Sequence, residues 1–372
     1  MEIIHIVLGK ANPNRMNGVN KVVYQLATHQ AKSGREVSIW GITKNPSHDY
    51  GDRNFKTNLF PAKKNIFNID QQLVEAMIVA KKRNAVFHLH GGWIPTFSTI
   101  SSVLAAHDVP FVFTPHGAYN TIAMMKNRWV KKVYFHLFEK PMLKRASAIH
   151  CIGKSEVNGI QSIFKPSNIF LMPYGFEADT SPTTVIPEKE DDFIIGFVGR
   201  LDIYTKGLDL LLEAFETFQK KEKNAKLWIV GDSNEREEFE KMIAAKKMQN
   251  KVILWGSKFG KEKNDLLKKM HLFAHPSRNE GLPSAVLEAA SLGVPCLITE
   301  ATNVGDAIEK YTCGLSVQNE NSEVLTDALF KLHQKWKKGQ LAAMGRKAKE
   351  MVMREFNWGH IVDEFDKLYK YN

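Results

Sequence analysis

Short apolar runs, most of them ending at a glycine or a polar turn, recur along the whole chain and alternate with segments of helical periodicity. The second half contains five such runs: Phe193–Val198, Leu227–Val230, Val252–Leu254, Leu272–Ala274 and Val294–Ile298. Between the first two runs, apolar residues repeat at helical spacing from Leu208 to Phe215. Uniformly apolar strands that alternate with helices predict a parallel sheet covered on both faces.

The first half repeats this pattern less regularly. Its apolar runs are Ile3–Leu8, Glu36–Trp40, Ala85–Leu89 and Phe111–Thr114, and a helical repeat around Val22–Ala27 ends before Gly34. A chain of 372 residues is too long for one ordinary core. We therefore predict an α/β protein of two Rossmann-like, doubly wound domains, residues 1–178 and 179–356, that face a central cleft.

The charge is distributed unevenly between these halves. Residues 1–180 contain 22 Lys and Arg against 11 Asp and Glu, whereas residues 181–372 contain 29 of each, so the net charge of +11 belongs to the first half. Such an excess predicts an anionic partner. We expect no nucleic acid, because the sequence has no zinc-finger spacing, no aromatic RNA-binding signature and no basic helix with heptads.

The three cysteines Cys151, Cys296 and Cys313 form an odd, widely spaced set, which is not typical of a disulfide scaffold. The segment Met1–Gly9 has an early acid and lacks a basic leader and a cleavage site, and no run of about 18 apolar residues occurs. We expect a cytoplasmic protein, with any membrane contact peripheral and on the inner face of the cytoplasmic membrane.

Two loops of the second half carry residues suited to an anionic ligand. Arg200 and Lys206 follow a strand end, and both cations match phosphate oxygens. The alternative is a solvated loop in which the cations pair with nearby acids. The second loop turns into a helix at 281–284, where backbone amides near Leu282 and Ser284 can face an anion and Pro283 suits the first helical turn.

This second loop also carries two carboxylates eight residues apart, Glu280 and Glu288, each able to hold a pair of vicinal hydroxyls. The alternatives are an exposed cap for Glu280 and a surface position for Glu288. Apolar neighbours of Glu288 favour a largely buried helix, in which a carboxylate needs a partner.

In the first half, Asn17 and Gly18 lie between the first strand and the first helix, where a glycine permits close approach to a ligand. His116, in a turn after another strand, could contact a substrate hydroxyl or serve only a structural role. His88 and His90 resemble a metal pair. We expect their rings to lie on opposite faces of the strand without a third ligand nearby, and therefore expect no metal site.

Together these motifs resemble the retaining glycosyltransferases of family four, which have the GT-B fold. The resemblance covers nearly the whole chain, and the cation pair combined with the two-glutamate motif is its most specific part. The other segments that carry it are 17–19, 116–117, Val230-Gly231-Asp232, Gly293-Val294-Pro295 and Phe356-Asn357-Trp358.

The resemblance implies a role for each matching residue. Arg200 and Lys206 would stabilise the leaving diphosphate of a nucleotide sugar, Glu280 would contact the donor sugar, and Glu288 would hold the ribose. His116 would lie by the sugar and the acceptor. The remaining expected donor-binding positions are Asn17, Gly18, Gly231, Ser257, Lys258, Gly281, Leu282, Pro283 and Ser284. The family also implies a C-terminal helix, 357–372, that crosses back to the first domain.

The family needs no metal, and the sequence has no Asp-x-Asp motif, so we expect no metal and no cofactor beyond the UDP-sugar favoured as the donor. The first domain would bind a glycan acceptor. Its segment Lys126–Arg145 is basic and aromatic, with Val130, Tyr134, Leu137 and Phe138 on one helical face. One interpretation is contact with anionic lipid and a lipid-linked acceptor, as in bacterial cell-surface polysaccharide synthesis. The other interpretation is an apolar stripe in the core with solvated lysines.

Three alternatives remain at this point. A soluble or protein-linked acceptor would leave the reaction unchanged. A nucleotide-sugar epimerase of the same fold would bind the donor without transferring its sugar. A non-catalytic sugar-binding protein would not require the two cations and the two glutamates.

Overall fold

The structure is a computed structural model that describes residues 1–12, 18–120, 124, 128–177 and 191–370. The chain forms two compact units. The first contains Met1–Gly175 and Trp358–Asn372, and the second contains Phe176–Asn357. The first boundary lies three residues before the predicted one, and the C-terminal segment begins one residue later than predicted.

The first unit contains a parallel sheet of seven strands in the order β3-β2-β1-β4-β5-β6-β7. These strands are β1 (Glu2–Leu8), β2 (Glu36–Thr43), β3 (Lys56–Pro61), β4 (Ala85–His90), β5 (Phe111–Thr114), β6 (Ala148–Cys151) and β7 (Ile169–Leu171). The sequence predicted β1, β2, β4 and β5, which are almost fully buried. It missed β3 and β7, which are half-exposed strands at the two edges, and the short β6.

Helices cover both faces of this sheet. They are α1 (Gly18–Lys32), α2 (Gln71–Lys81), α3 (Pro95–Ala106), α4 (Arg128–Tyr134), α5 (Lys140–Arg145), α6 (Lys154–Gln161) and, from the end of the chain, α14 (Trp358–Tyr369). A π-helical turn, Phe135–Glu139, joins α4 to α5. No helix in the described parts of the chain has the length and apolar character needed to cross a membrane.

The second unit contains a parallel sheet of six strands in the order β10-β9-β8-β11-β12-β13. Its strands are β8 (Phe193–Val198), β9 (Ala225–Val230), β10 (Val252–Gly256), β11 (Leu272–His275), β12 (Cys296–Thr299) and β13 (Gly314–Val317). Its helices are α7 (Leu208–Lys221), α8 (Arg236–Ala245), α9 (Gly260–Lys269), α10 (Ser284–Ser291), α11 (Gly305–Lys310), α12 (Ser322–Lys337) and α13 (Leu341–Glu355), with a 3₁₀ turn at Glu300–Thr302. Of these six strands, the sequence failed to predict β13, which begins with a glycine and contains a serine.

Each sheet has one point at which the strand order reverses. In the first unit this point lies between β1 and β4, and in the second between β8 and β11. Connections leave such neighbouring strands in opposite directions, which opens a crevice outside their carboxyl ends where ligands of α/β proteins bind. The predicted cation loop follows β8 and the predicted glutamate loop follows β11.

The C-terminal helix α14 packs on the first unit, as the family resemblance implied. Trp358 stacks on His29 with ring centroids 4.7 Å apart, and Arg35 donates to Asp363 and Asp366 at 2.5 and 2.8 Å. The backbone at Gly175 runs so close that a Cβ atom there would lie 2.3 Å from the indole of Trp358. The helix therefore closes the core of the unit that contains the N-terminus.

We expect Trp358→Ala to lower the stability of the first unit by about 3 kcal/mol, because removing a buried indole leaves a cavity against Gly175 and His29. Hydrogen exchange at the amides of α1 under mild denaturant measures this loss. Lys367→Ala, an exposed position on the same helix, is the control and should change stability by less than about 0.5 kcal/mol. Equal protection in both variants would contradict the proposed packing role.

Candidate active site

The loop after β8 carries the first predicted cation, Arg200, on the surface of the second unit. The Arg200 guanidinium is exposed and donates to Asp202 at 2.8 Å. The sequence left open whether this cation pairs with a nearby acid, and in the structure it does. Because exposed ion pairs contribute little free energy, the guanidinium can exchange this partner for a ligand anion at little cost.

Lys206 and Glu280, 74 residues apart in the sequence, meet at the junction of β8 and β11. The Lys206 ammonium donates to Oε1 of Glu280, and Nε2 of His275, the last residue of β11, donates to the same oxygen at 2.9 Å. The Glu280 side chain is only 14% exposed. The structure thus brings together the cation and the carboxylate for which the family resemblance implied contacts with the donor diphosphate and the donor sugar.

The protonation states in this group follow from burial and charge. Burial alone would raise the pKa of Glu280, but the hydrogen bond from His275 and the positive charge of Lys206 outweigh it and lower that pKa to about 2. Burial lowers the pKa of His275, despite its hydrogen bond to Glu280. At neutral pH the group therefore consists of an ammonium, a carboxylate and a neutral imidazole.

The two loops are held together by contacts that the sequence did not reveal. Gly207 has a positive φ of 66°, and a Cβ atom there would lie 2.0 Å from the carbonyl oxygen of Pro276, so only glycine allows this approach. Arg278 forms two bonds of 2.8 Å to Asp209, donates to the carbonyl of Tyr204 at 2.6 Å and lies 4.3 Å over the Tyr204 ring.

These bonds make Arg278 and Asp209 supports of the site rather than ligand contacts. The buried guanidinium donates to Tyr204, in the loop that carries Lys206, and to Asp209, in the first turn of the helix that follows this loop. The bond to Asp209 raises the pKa of Arg278. A two-pronged Arg–carboxylate contact fixes both position and angle. Sequence reasoning missed this pair because an arginine and an aspartate 69 residues apart leave no periodic signal.

The predicted anion-binding turn leads into α10, which begins at Ser284. Pro283 lies at the position before the helix, with ψ at 100°, so the prediction that it occupies the first helical turn is wrong by one residue. Its extended backbone turns the chain into the helix, while its carbonyl accepts from Val286 at 3.1 Å. The first amides of a helix have no acceptor within the helix, and they carry the positive end of its dipole.

Asn303 holds the preceding turn, because its side-chain amide donates to the carbonyls of Glu280 and Gly281 at 2.7 and 2.9 Å. Leu282, between them and the helix, packs partly into the core of the second unit. The residues from Glu280 to Ser284 therefore form a supported turn.

Glu288 lies on α10 and pairs with Lys263 of α9 at 2.7 Å, which supplies the partner that a half-buried carboxylate needs. Ser257 and Lys258 follow β10, and Lys258 lies 3.6 Å from Glu262. Gly231 directly follows β9 with a positive φ of 145°, and a Cβ atom there would lie 1.8 Å from the carbonyl oxygen of Gly199. Gly231, Ser257 and Lys258 thus lie just after the carboxyl ends of neighbouring strands, whereas Glu288 lies within a helix.

In the first unit, Gly18 begins α1, and a Cβ atom at this position would meet no other atom within 4 Å. Asn17 lies outside the described residues. Asn20, which the sequence did not single out, shapes this region because its side chain accepts from the amide of Ala11 at 2.7 Å and donates to the carbonyl of Leu8 at 3.2 Å.

His116 lies in the turn after β5 with φ at 55°, a backbone conformation that few residues other than glycine adopt. Its ring stacks on Tyr174 at 5.5 Å between centroids, and burial lowers its pKa to about 3. The following amide, of Gly117, donates to Glu156 at 2.5 Å. The buried Glu156, whose pKa burial raises to about 7, therefore holds the His116 turn in its unusual conformation.

His88 and His90 lie on the same face of β4, with ring centroids 3.9 Å apart. The prediction of opposite faces is wrong, because residues two apart in a strand share a face. The expectation that no third side chain is near is also wrong: ring nitrogens of His5, His88 and His90 all lie within 4.8 Å of one another. The three side chains are fully buried.

The basic segment exposes apolar side chains instead of burying them. Trp129 is 78% and Leu137 62% exposed, and Val130 and Val133 are similarly open to solvent. The predicted single face is wrong in part, because Tyr134 and Phe138 turn inward, where Phe138 packs on Phe67. The π-helical turn adds a residue to the helical repeat and divides the stripe. Residues 125–127 lie outside the described part of the segment.

The fold is a two-unit α/β architecture with a candidate ligand site at the strand-order reversal of the second unit, and family models match both units. The model "Glycosyltransferase Family 4" matches residues 16–180, and "Glycosyl transferases group 1" matches residues 183–351. The chain belongs to the family-four glycosyltransferases and has the GT-B fold.

The relatives found by sequence similarity include proteins named as glycosyltransferases. An uncharacterized glycosyltransferase of Haemophilus influenzae is 25% identical over 86% of this chain and 87% of its own length. The capsular polysaccharide biosynthesis glycosyltransferase CapM of Staphylococcus aureus is 23% identical over 64% of this chain and 65% of its own length. The crystal structure of Anabaena HepE in complex with UDP and glucose superposes with a TM-score of 0.69, at 15% identity, over 99% of this chain and 98% of that chain.

The low pKa of Glu280 predicts how stability depends on pH. Because that pKa lies near 2 in the folded protein and near 4.5 ordinarily, the ionised carboxylate stabilises the fold above pH 4.5 and loses its effect as pH falls towards 2. Wild type should exceed Glu280→Gln in free energy of unfolding by on the order of 2 kcal/mol at pH 6, and the difference should shrink below pH 4.

Urea unfolding of both proteins between pH 7 and pH 3 measures this difference. Glu262→Gln is the control, because this exposed carboxylate makes only a 3.6 Å contact with Lys258 and should matter little. A difference between wild type and Glu280→Gln that stays constant down to pH 3 would contradict the assigned ionisation.

Proposed function

We propose that this protein is a retaining, metal-independent hexosyltransferase that moves a sugar from a UDP-sugar to a hydroxyl of a glycan acceptor in bacterial cell-surface polysaccharide synthesis. The observation that carries the proposal is the Lys206–Glu280–His275 group at the strand-order reversal of the second unit. The loop that carries Lys206 also carries Arg200, and the loop that carries Glu280 leads into α10. Family membership supports sugar transfer, HepE was solved with UDP, and CapM is named for capsule synthesis.

Departure of a nucleoside diphosphate builds negative charge on the β-phosphate oxygens. Arg200, Lys206 and the first amides of α10 are donors that can stabilise this charge, and a preorganised donor lowers the barrier because it favours the transition state over the ground state. Phosphate oxygens would compete with Glu280 for the Lys206 ammonium, so donor binding would free part of the Glu280 carboxylate for the sugar hydroxyls. Glu288 would hold the ribose hydroxyls.

In the proposed reaction the bond between the anomeric carbon and the phosphate oxygen breaks, and a bond to the acceptor oxygen forms on the same face of the sugar. The proton of the acceptor hydroxyl passes to the departing phosphate. No protein group needs to act as a base, which agrees with a Glu280 carboxylate that is already committed to a cation and an imidazole. On the first unit, His116 would contact a substrate hydroxyl.

We expect Lys206→Ala and Glu280→Ala each to lower kcat/KM for sugar transfer by 10² or more, on the order of the effect of removing one charge-stabilising donor. Transfer from UDP-sugars to a glycan acceptor is measured by the release of UDP. Lys310→Ala, which removes an exposed lysine paired with Glu355, is the matched control and should retain wild-type rates. Wild-type rates in Lys206→Ala would refute the site.

Wild type and Lys206→Ala also test which donor is used and which anomeric configuration the product has. UDP and a UDP-sugar should raise the Tm of wild type and raise that of Lys206→Ala less, since a ligand stabilises the state it binds. The anomeric configuration of the product, read by NMR, should match that of the donor. UDP release without transfer, accompanied by a change of sugar configuration, would favour the epimerase.

We further propose that the exposed apolar residues of α4 and the π-helical turn contact anionic membrane lipid and bring the enzyme to a lipid-linked acceptor. Trp129, Val130, Val133 and Leu137 are open to solvent, and the ammonium of Lys132 lies 5.8 Å from the centroid of the Trp129 ring. Lys144 and Arg145, at the end of α5, are exposed as well. An exposed apolar stripe flanked by cations is typical of helices that lie at a membrane surface. The excess positive charge of residues 1–180 adds long-range attraction.

Sedimentation with vesicles tests this contact. Wild type should bind vesicles that contain phosphatidylglycerol, and binding should weaken with salt, since added ions screen the attraction. The double variant Trp129→Ser, Leu137→Ser should bind on the order of tenfold more weakly, because it loses two apolar side chains that enter the interface. Met353→Ser, at an exposed apolar position of α13, is the control. Binding indifferent to lipid charge and salt would favour a soluble acceptor.

A further inference from the structure

Five buried or half-buried histidines of the first unit belong to one continuous chain of hydrogen bonds. His5 is on β1, His88 and His90 are on β4, His116 follows β5, and His150 is on β6. The connecting groups are the side chains of Gln30, Thr114 and Tyr369. In order from the turn inward, the distances are 3.0 Å (His116–His90), 2.9 Å (His90–His5), 2.7 Å (His5–Gln30), 3.1 Å (Gln30–Tyr369), 2.9 Å (Tyr369–His88), 2.6 Å (His88–Thr114), 2.8 Å (Thr114–His150) and 2.8 Å (His150–Met172 carbonyl).

The direction in which protons are donated along this chain is fixed at the end where His150 bonds to the carbonyl of Met172. The carbonyl of Met172 can only accept, so Nε2 of His150 carries a proton. A neutral imidazole has one N–H, so Nδ1 of His150 accepts from the Thr114 hydroxyl. Burial lowers the pKa of His150 to about 4, and it also holds the pKa values of the other four histidines below their ordinary value, so all five rings are neutral at pH 7.

Each bond then determines the next. The Thr114 hydroxyl has given its proton to His150, so its oxygen accepts from Nε2 of His88. Nδ1 of His88 therefore carries no proton and accepts from the Tyr369 hydroxyl. The Tyr369 oxygen must in turn accept, which places the NH₂ group of Gln30 towards Tyr369 and its carbonyl oxygen towards His5.

The donors and acceptors in the outer half of the chain, from Gln30 through His5 and His90 to His116, follow in the same way. The Gln30 carbonyl accepts from Nε2 of His5, so Nδ1 of His5 accepts from Nε2 of His90. Nδ1 of His90 then needs a donor, and the group 3.0 Å away is Nε2 of His116. Both hydrogen bonds that His116 makes within the described residues involve Nε2, the second being a 3.4 Å contact with the Tyr174 hydroxyl.

We propose that this chain fixes His116 in the tautomer with a proton on Nε2, and so presents Nδ1 as a hydrogen-bond acceptor for a substrate hydroxyl. The other members of the chain are positioning residues that act through His116: His5, His88, His90, His150, Gln30, Thr114 and Tyr369. The role of Nδ1 towards substrate rests on the proposed function, whereas the tautomer itself does not. The left-handed backbone at His116 indicates that this ring is held in place at a cost in conformational strain.

The same geometry argues against two other uses of the histidines. A metal at His5, His88 and His90 would need ring nitrogens that already bond to one another, to Gln30, to Tyr369 or to Thr114. A proton relay would need an inner end that can take up a proton, and the chain ends on the amide carbonyl of Met172. The arrangement suits fixed orientation of one ring.

Two-bond ¹H–¹⁵N correlation spectra of histidine-labelled full chain report which ring nitrogen carries the proton, and His116→Gln assigns the signal. We expect wild-type His116 to be protonated on Nε2 alone. Tyr369→Phe removes the hydroxyl that orients Gln30. The hydrogen bonds from Gln30 to His116 can then also form in the opposite direction, so His116 should show both tautomers. Thr114→Val, which disconnects the Met172 carbonyl, should have the same effect.

Tyr174→Phe is the matched control, because it removes a buried tyrosine hydroxyl that contacts Thr114 and His116 without being one of the links between the histidines. Every link of the chain remains in this variant, so the single tautomer should remain. In a transfer assay, Tyr369→Phe should lower kcat about tenfold or more while the KM for the donor changes less than about twofold, since a misplaced acceptor nitrogen affects the reacting geometry.

Three results would overturn the proposal: a proton on Nδ1 of His116 in wild type, a single unchanged tautomer in folded Tyr369→Phe and Thr114→Val, or stoichiometric binding of Zn²⁺ that His5→Gln abolishes. None of these measurements requires a substrate. Failure of the tautomer prediction is therefore distinguishable from absence of sugar transfer, which would contradict the proposed function alone.

Discussion

The approach of the β8 loop to the β11 loop is the contact on which the site of the second unit depends. A glycine at 207 allows the backbones to pass at a distance that no side chain would permit, and Arg278 then fixes the loops through Asp209 and the Tyr204 carbonyl. Only with the loops held in this way do Lys206 and Glu280 share a hydrogen bond. The charged group is therefore a consequence of backbone packing at the point where the strand order reverses.

The sequence predicted the buried parts of both sheets because central parallel strands read as unbroken apolar runs. β3 and β13 contain polar or small residues, and β7 is only three residues long, so these strands gave no clear signal. Motif resemblance singled out Arg200, Lys206, Glu280 and Glu288, of which the first three lie in loops after strand ends and Glu288 lies on α10. The sequence did not reveal the pair Arg278 and Asp209, because pairing across 69 residues depends on tertiary contacts. It also missed His275, which is only five residues from Glu280, because a single histidine at a strand end matches no motif. The error over His88 and His90 came from the strand period, which places residues two apart on one face.

The two units handle buried polar groups by different means. In the second, Glu280 remains ionised because a cation and an imidazole compensate its burial, and its pKa falls to about 2. In the first unit, the histidines remain neutral, and each fulfils its hydrogen-bonding capacity through its neighbours in the chain. Burying several positive charges side by side would cost far more free energy than exchanging hydrogen bonds. The group of the second unit thus keeps charged side chains at low exposure, whereas the histidine chain of the first unit orients its rings without charge.

This difference also sharpens the meaning of the basic excess in residues 1–180. The buried histidines contribute nothing to it, and the lysines and arginines that do contribute include the exposed ones at the end of α4 and in α5. Some of these cations lie close to aromatic rings: the ammonium of Lys132 is 5.8 Å from the Trp129 ring centroid, and that of Lys131 is 5.2 Å from the Trp93 ring centroid. A flexible cation beside an exposed indole can turn towards anionic headgroups while the ring enters the interface, because both side chains are amphipathic. Residues 126–145 contain seven of the 22 cations and one of the 11 acids of the first half, so +6 of its net charge of +11 lies in this one segment. The half that holds Lys206 and Glu280 has no net charge.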